Sequence, residues 1–381
     1  MPWALVCCSE TLLVAAWISA LTTVTPSERT IVAPHAPETL WHVSGEGRGT
    51  PAVIGGSVYF LSKHHEVVSI DIASGGVRWR RSTGEPGDAT SGSRLTSNGR
   101  DVLVAGDQNL IAFDVNGRIR WRFVPGDGYG PGLYLGGIAG GLVVAGSPAG
   151  RLYAVDEQTG QRRWSVLVEP SPATVFAPVL DEADVVAAFS AFGERGGGGL
   201  VVVDRATGRE RWRRLFPTGP AVQGFGGGLA LTRGEVIVAT RDGAVHGFSR
   251  RTGTPRWSLP AITGGWFGSV ASMQDNRPLL VVGNTLVAGS LSGVVVSYDL
   301  ADHRERWRTT PTDASVGMGL ASDERTVYVP FFSGEIVAVD LETGRERWRT
   351  SDEMSGFGWA PLASAGALFA AGSATGFVAF R

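Results

Sequence analysis

Apolar and polar residues alternate along most of this chain in short runs that end at turn-forming residues. The run from Ile336 to Val339 is typical. It is followed by Asp340, whose carboxylate can accept from backbone N–H groups two residues on, and by Gly344, which supplies the positive φ that closes a hairpin. A second alternating run follows and carries Trp348. Because a period of two indicates strands and no 3.6-residue apolar stripe follows residue 25, the pattern predicts an all-β fold.

This tryptophan-bearing hairpin recurs along the chain. Seven copies end at tryptophans that lie 41 to 50 residues apart, the period of a four-stranded propeller blade. The seven are Trp79, Trp121, Trp164, Trp212, Trp257, Trp307 and Trp348. Another apolar hairpin precedes each copy, which gives four strands per repeat. A lone four-stranded sheet buries too little apolar surface, so neighbouring sheets are expected to stack face to face and to close into a ring.

The two ends of the repeat region complement each other. The last segment, residues 361–381, has three strands and no tryptophan, whereas residues 38–41 form a tryptophan strand with no partner strands before it. We predict that the strand carrying Trp41 completes the last blade and so removes the seam of the ring. The predicted fold is an all-β, eight-bladed β-propeller of four-stranded antiparallel blades, formed by a single domain over residues 38–381.

The repeat resembles the quinoprotein-type, or pyrroloquinoline-quinone (PQQ)-like, propeller repeat, with its Ala-x-Asp-x-x-Thr-Gly-x-x-x-Trp core. Residues 154–164 and 338–348 match that core fully. The resemblance implies that the seven tryptophans and Trp41 dock between adjacent blades. Within that family, the chain most resembles the class of non-catalytic, cofactor-free propellers that take part in bacterial outer-membrane assembly. Three copies depart from the core: Ser249 replaces Asp, Asp302-His303 replaces Thr-Gly, and the turn after Asp114 is one residue shorter.

Residues 1–30 are predicted to be a signal peptide or a disordered leader. The apolar run from Leu12 to Leu21 has signal-peptide length and is too short for a stable transmembrane span. No Lys or Arg precedes it, so two readings stay open: an exported protein, secreted or in the cell envelope, or a cytoplasmic one whose leader is not a functional signal. Lipid anchoring is disfavoured because Val6 precedes Cys7.

Composition excludes several function classes. The net charge of −2 argues against nucleic acid as a partner, because phosphate binding needs a surplus of cations on one surface. Both cysteines, Cys7 and Cys8, precede the repeats, so the propeller contains no disulfide and no thiolate metal site. Arg precedes each of the seven repeat tryptophans, and we interpret this charge as protection of the outermost strands against edge-to-edge pairing.

Loops at the channel mouth supply the candidate binding residues. We define this rim by the loops that enter each innermost strand and those that join the second and third strands. It is rich in Gly and aromatic residues, whereas a quinone dehydrogenase needs a carboxylate base and oxygen ligands for Ca²⁺. The predicted partner-binding residues are Tyr129, Tyr134, Phe176, Phe192, Arg195, Phe225, Trp266, Phe267, Phe357 and Trp359.

Two rim segments invite a more specific interpretation. The segment from Phe189 to Arg195, with the four glycines after it, is predicted to be an overlong loop that either contacts a partner or is a tolerated insertion. His64, His65 and Glu66 could suggest a metal site. Adjacent side chains on an extended chain point to opposite sides, so a solvated loop is favoured.

These observations favour a non-catalytic scaffold, monomeric, with a protein or peptide partner and no cofactor. No catalytic, cofactor-binding or metal-binding residue is assigned. The first alternative is a quinoprotein dehydrogenase that uses PQQ and Ca²⁺ to oxidise alcohols or sugars. The second is a domain that senses a small ligand.

Overall fold

Every named element in the described part of the chain is a β-strand. The computed structural model describes residues 36–85, 95–106, 109–126, 132–170, 173–191, 197–216, 228–240, 243–260, 262, 279–350 and 359–381. Within these ranges no helix is long and apolar enough to cross a membrane. The strands form eight antiparallel sheets, which are the eight blades of a closed ring. The prediction of an eight-bladed β-propeller is confirmed.

The strands follow the chain blade by blade, apart from the first, β1 (Thr39–Val43), which belongs to blade 8. Blades 1 and 2 contain β2 (Gly47–Ile54), β3 (Ser57–Ser62), β4 (Glu66–Asp71) and β5 (Val77–Ser82), then β6 (Leu95–Ser97), β7 (Asp101–Ala105), β8 (Leu110–Asp114) and β9 (Ile119–Phe123). Blades 3 and 4 contain β10 (Tyr134–Ala139), β11 (Leu142–Gly146), β12 (Arg151–Asp156) and β13 (Arg162–Leu167), then β14 (Ala173–Val175), β15 (Val179–Leu180), β16 (Asp184–Ala191), β17 (Gly197–Asp204) and β18 (Glu210–Phe216).

The second half of the ring continues in the same way. Blades 5 and 6 contain β19 (Leu229–Leu231), β20 (Glu235–Ala239), β21 (Val245–Ser249) and β22 (Pro255–Leu259), then β23 (Leu279–Val282), β24 (Thr285–Gly289), β25 (Val295–Asp299) and β26 (Glu305–Thr309). Blades 7 and 8 contain β27 (Ala321–Ser322), β28 (Thr326–Pro330), β29 (Ile336–Asp340) and β30 (Glu346–Arg349), then β31 (Leu362–Ser364), β32 (Ala367–Gly372) and β33 (Gly376–Phe380). In blade 4 the innermost strand is divided into β14 and β15, which both pair with β16.

The hydrophobic core is divided among the eight contacts between neighbouring blades, which we call junctions. Seven junctions each hold a cluster of nine to twelve buried apolar residues, most of them Val, Leu, Ala and Phe. The cluster between blades 7 and 8 has five such residues. Because alternate side chains of a strand point to opposite faces of its sheet, every blade contributes to two clusters, and burial of both faces holds the ring together.

Blade 8 is completed by the first strand, as the sequence indicated. β1 pairs antiparallel with β33, with Trp41 opposite Ala379 and Val43 opposite Phe377. Trp41 is 8% exposed, and its ring stacks on that of Phe369 with 6.0 Å between centroids. The strand therefore adds backbone hydrogen bonds and apolar burial to the seam of the ring.

The two faces of the ring carry different connections, because successive strands are antiparallel. The rim face carries the loops that enter each blade and those that join second to third strands. The opposite face, here the turn face, carries the inner turns, which join first to second strands, and the outer turns, which join third to fourth strands. Almost all connections on the turn face belong to the described residues, whereas only part of the rim loops does.

Candidate functional site

Three of the ten predicted partner-binding residues lie in the described part of the chain. Tyr134 and Phe176 are both 8% exposed, and their rings lie 6.3 Å apart between blades 3 and 4. Burial raises the pKa of the Tyr134 hydroxyl. Trp359 is half-buried just before blade 8. Tyr134 and Phe176 thus contribute to a blade contact, and a binding role for any of the three stays a prediction.

The other seven predicted rim residues lie outside the described residues, so their contribution to binding also stays a prediction. They are Tyr129, Phe192, Arg195, Phe225, Trp266, Phe267 and Phe357.

The predicted overlong loop of blade 4 is shorter than its sequence indicated. Phe189 is opposite Gly199 and Ala191 is opposite Gly197, so both ends of the segment continue β16 and β17. Phe189 is 1% exposed, and a Cβ at Gly199 would lie 2.7 Å from its ring. Three of the glycines therefore pair in the sheet, and Gly199 leaves room for Phe189. Only residues 192–196 lie between the two strands.

The expectation of a solvated loop at His64 and His65 is wrong for one of the two. The His64 side chain is 64% exposed, whereas that of His65 is 1% exposed, with Nδ1 3.6 Å from the Glu85 carboxylate. His65 has φ +54°, so the two histidines lie in a turn between β3 and β4 and not on the extended chain that the sequence analysis assumed. The sequence did not indicate the partner, because Glu85 belongs to the loop that follows β5.

One rim aromatic was missed by the sequence analysis. Phe332 lies between β28 and β29 and is 45% exposed, whereas the preceding Phe331 is fully buried. Its backbone N–H donates to the Ser315 carbonyl at 2.9 Å, which ties its loop to the loop that enters blade 7. The Phe331-Phe332 pair has two adjacent apolar residues in a loop, and this was the available signal for an exposed one.

On the turn face, the outer turns connect each blade to the one before it. In junction 6/7 the Trp307 Nε1–H donates to the Leu341 carbonyl at 2.9 Å, and a Cβ at Gly344 would lie 2.5 Å from the indole. In five further junctions the tryptophan Nε1–H donates to the carbonyl of the corresponding turn residue of the next blade, at 2.7 to 3.0 Å. These tryptophans are Trp41, Trp79, Trp121, Trp164 and Trp212. Each of their indoles is covered by the outer-turn glycine of the next blade.

The arginine before each repeat tryptophan is a bulged residue. In blade 7, Ala338 is opposite Trp348 and Val339 is opposite Glu346, so Arg347 has no opposite residue. The Arg347 guanidinium donates to Asp340 Oδ2 at 2.6 Å. A β-bulge can redirect a side chain in this way. All seven arginines lie within 4 Å of a carboxylate of their own blade, so they are partners of specific groups and not only repulsive edge charges.

These pairs alter the acid–base behaviour of the turn aspartates. The Arg163 guanidinium, together with the Thr159 side chain and backbone, lowers the pKa of Asp156 to about 2. The arginine partner is likewise the largest cause of the lowered pKa of Asp71 and of Asp299. These carboxylates remain ionised in their turns throughout the neutral range.

Two blades that depart from the repeat are compensated locally. Blade 5 has Ser249 at the Asp position, and there Arg256 and the Trp257 Nε1–H both bond to Glu235. Blade 6 has His303 at the glycine position, with φ +59°, and its ring lies 4.7 Å from that of Trp257.

Junction 7/8 adjoins blade 8, whose third and fourth strands, β33 and β1, come from opposite ends of the series. It contains a cleft of about 260 Å³, here the junction cleft, lined by Asp323, Tyr328, Trp348, Ala363, Ser364, Ala365, Gly366, Ala367, Leu368, Phe380 and Arg381. Trp348 is half-buried, and its Nε1–H has no hydrogen-bond partner among the described residues. The Tyr328 hydroxyl donates to Asp323 Oδ2 at 2.6 Å.

The PQQ and Ca²⁺ alternative depends on a set of metal-ligating side chains. Within the described ranges there is no group of three or more His, Cys, Asp or Glu side chains that could hold a metal ion. A Ca²⁺ ion needs six to eight oxygen ligands. The carboxylates of the outer turns bond instead to arginines and backbone N–H groups.

Eight blades joined by these tryptophan turns define a β-propeller of PQQ-like repeats. The family model described as "Outer membrane protein assembly factor BamB" matches residues 28–192, 135–223 and 196–380. Because these matches span most of the sequence, the chain belongs to that family.

Individual proteins are similar at lower identity. The outer membrane protein assembly factor BamB of Bordetella pertussis is 27% identical over 319 residues, which are 80% of this chain and 66% of that protein. The chain thus matches slightly less than two thirds of this relative's length. The crystal structure of BamB from Moraxella catarrhalis has a TM-score of 0.69 at 15% identity and covers 91% of this chain and 100% of its own.

The fold is also shared with enzymes. Quinohemoprotein alcohol dehydrogenase from Comamonas testosteroni has a TM-score of 0.65 at 13% identity, covering 90% of this chain and 76% of its own. Likeness at this identity concerns the fold alone, so it does not distinguish a scaffold from an enzyme.

Proposed function

We propose that this chain is a non-catalytic propeller of the cell envelope that binds a protein partner during the assembly of outer membrane proteins. The observation that carries the proposal is the family match, which extends through the repeats from residue 28 to residue 380. The relative from Bordetella pertussis bears the name of an outer membrane protein assembly factor. An envelope location agrees with the predicted export signal in residues 1–30.

The chemistry of the described residues supports a binding role. The turn aspartates Asp71, Asp156 and Asp299 bond to arginines of their own blades, and these bonds lower the pKa of each carboxyl and so favour the charged form that the contacts need. Catalytic groups instead need pKa values close to the working pH. The exposed Phe332 and the predicted rim residues offer aromatic surface, which is enriched at protein contacts.

Affinity isolation from envelopes of the native host tests this proposal. We expect the intact chain to recover components of an outer-membrane assembly complex. The rim variants Phe332→Ala and Phe192→Ala/Arg195→Ala should reduce recovery by about tenfold, the effect of losing a residue important for binding. Arg304→Ala is the matched control, because its side chain is 84% exposed and lies on the turn face.

A titration distinguishes this function from the dehydrogenase alternative. PQQ added to the intact protein in excess Ca²⁺ should give no binding heat above dilution. Tight binding of the quinone, or dye-linked oxidation of an alcohol or sugar, would contradict a non-catalytic role. Small-molecule stabilisation in a thermal-shift screen would instead favour a ligand sensor.

A further inference from the structure

The outermost strands of three blades carry an ion pair beside the repeat tryptophan. In blade 7, Glu346 lies two residues before Trp348 and accepts from Arg349 through both carboxylate oxygens, at 2.6 and 2.7 Å. The β-bulge before the tryptophan brings these two side chains to the same side of the strand. In these blades the arginine after the tryptophan is therefore neutralised within its own strand. The corresponding pairs are Glu210 with Arg213 in blade 4 and Glu305 with Arg308 in blade 6.

Blades 1 and 2 keep the arginine but lack the glutamate. Val77 and Ile119 occupy the glutamate position, with the same bulge before the tryptophan. Neither Arg80 nor Arg122, the arginines of these two blades, has a carboxylate partner among the described residues. The other three blades have serine or histidine in place of this arginine. Only blades 1 and 2 thus combine an aliphatic residue with the arginine that a glutamate neutralises elsewhere.

The same two blades expose aliphatic surface at this place. Val77 is 42% exposed and Ile119 is 46% exposed. Val115, which follows the turn aspartate of blade 2, is 44% exposed, and the corresponding Ile72 of blade 1 is half-buried. Each blade therefore places two aliphatic side chains and one arginine on its outermost hairpin. We call these six residues the hairpin patch: Ile72, Val77, Arg80, Val115, Ile119 and Arg122.

The outer hairpins that carry the patch are cationic. Residues 71–81 and 114–122 each contain three arginines and one aspartate, which gives a net charge of +2 for each hairpin. Residues 299–308 of blade 6 and 340–349 of blade 7 each contain three arginines and three acidic residues, so their net charge is zero with histidine neutral. Because charges across an interface are complementary, a partner that fits the patch carries carboxylates together with apolar side chains.

We propose that the hairpin patch binds a segment of a partner protein in which acidic and apolar side chains alternate. The partner's carboxylates take the place of the missing glutamates at Arg80 and Arg122, and its apolar side chains cover Val77 and Ile119. Both hairpins end in the outermost strands of their sheets, β5 and β9, so an extended segment has access to these groups. This names a second contact surface for the scaffold proposed above, separate from the rim, and rests on that function.

A bilayer and a second copy of this chain fit the patch less well. Interfacial membrane binding uses a broad apolar face, commonly with Trp, Phe or Leu, whereas this patch has only Val and Ile, each less than half exposed. A two-fold contact of the patch with itself would bring arginines against arginines. The acidic residues that a second copy offers on blade 7 already bond to its own arginines.

A short peptide of alternating Glu and Val is the probe. It is added to the intact protein labelled with ¹³C at the isoleucine δ-methyl groups, and the Ile119 resonance is assigned by its loss in Ile119→Val. We expect the Ile119 resonance to shift with peptide. The resonance of Ile237, which is fully buried in blade 5, should stay in place.

Three matched comparisons define the outcome. Val77→Glu/Ile119→Glu builds the ion pairs of blades 4, 6 and 7 into blades 1 and 2 and should weaken peptide binding at least about tenfold. Leu215→Glu should bind as the unmutated protein does, because Leu215 is 65% exposed on β18 and lies outside the patch. A peptide of alternating Lys and Val should bind at least about tenfold more weakly. Retained thermal unfolding shows that a variant is folded, and the Ile119 shift does not depend on any substitution.

The proposal is overturned by no Ile119 shift at about 1 mM peptide, by equal binding of the Lys peptide, or by equal binding to Val77→Glu/Ile119→Glu. Co-sedimentation with phosphatidylglycerol vesicles that this double variant abolishes would assign the patch to a membrane instead. A dimer in sedimentation that the same variant abolishes would assign it to a second copy. Recovery of assembly components by the rim variants is a separate measurement, so failure here leaves the scaffold function standing.

Discussion

In five of the seven outer turns, the aspartate at the start of the turn uses its two carboxylate oxygens differently. Asp156 Oδ1 accepts from the backbone and hydroxyl of Thr159, and Oδ2 accepts from Arg163. The first set closes the turn and the second ties it to the outermost strand. A single residue type thus serves both the local turn and the position of the tryptophan strand.

Acid should weaken these turns. The pKa of Asp156 is lowered from 3.8 to about 2, so its contribution to stability is complete above pH 3.8 and is lost as the pH falls toward 2. Asp156→Asn should therefore reduce the free energy of unfolding at pH 7 by about 1 kcal/mol or less, the range for partly exposed pairs. Urea unfolding at several pH values checks this. The variant and the unmutated protein should converge near pH 2, and a constant difference would contradict the assignment.

Removing an indole N–H should matter only where it has a partner. Trp307→Phe leaves the Leu341 carbonyl without its donor and should cost about 1–3 kcal/mol. Trp348→Phe should cost less than about 1 kcal/mol, because its Nε1–H bonds to no other described residue. Urea unfolding of the two variants compares them directly, and equal losses would show that ring packing, not the hydrogen bond, decides the effect.

At the scale of elements, the outer hairpins show how repeat sequence and blade packing depend on each other. The turn glycine is required twice, once for its positive φ and once for the space that the indole fills. At Gly344, φ is +69° and a Cβ would lie 2.5 Å from Trp307. Gly99, in the inner turn of blade 2, has φ +83° and no atom within 4 Å of such a Cβ.

This contrast separates the two requirements experimentally. Gly99→Ala should cost about 1–2 kcal/mol, the backbone penalty of a left-handed conformation. Gly344→Ala should cost about 1–3 kcal/mol more, because the added methyl group forces the packed indole to move. Urea unfolding gives both values. Similar losses in the two variants would mean that the indole can shift without cost.

At the scale of the whole molecule, β1 holds the ring closed. Trp41 contacts blade 8 through Phe369 and blade 1 through its hydrogen bond to Ile72. Non-local pairing between the first and last strands cannot form until the blades between them are in place. The seam is therefore expected to open more easily than blades formed by consecutive strands.

Trp41→Ala tests the closure. Loss of this buried side chain should lower the free energy of unfolding by about 3–5 kcal/mol. It should also speed amide hydrogen exchange in β1 and β33 more than in β16 and β17, which are consecutive strands of blade 4. Phe332→Ala is the control, because an exposed side chain should change stability by no more than about 0.5 kcal/mol. Unchanged exchange in β1 and β33 would contradict a closing role.

The sequence by itself determined the repeat unit, the number of blades and the completion of blade 8 by the strand of Trp41. These features depend on local patterning, with alternating apolar residues, Asp and Gly at fixed offsets and a regular tryptophan, and local patterning is readable along the chain. The aromatic character of the rim loops is also written in the sequence.

Only the tertiary structure decided which side chains meet across blades. The pairing of His65 with Glu85, the burial of Tyr134 and Phe176, and the continuation of β16 and β17 depend on distances between segments that the sequence does not order in space. The junction cleft arises in the same way. It adjoins the blade whose third and fourth strands, β33 and β1, come from opposite ends of the series and meet only when the ring closes.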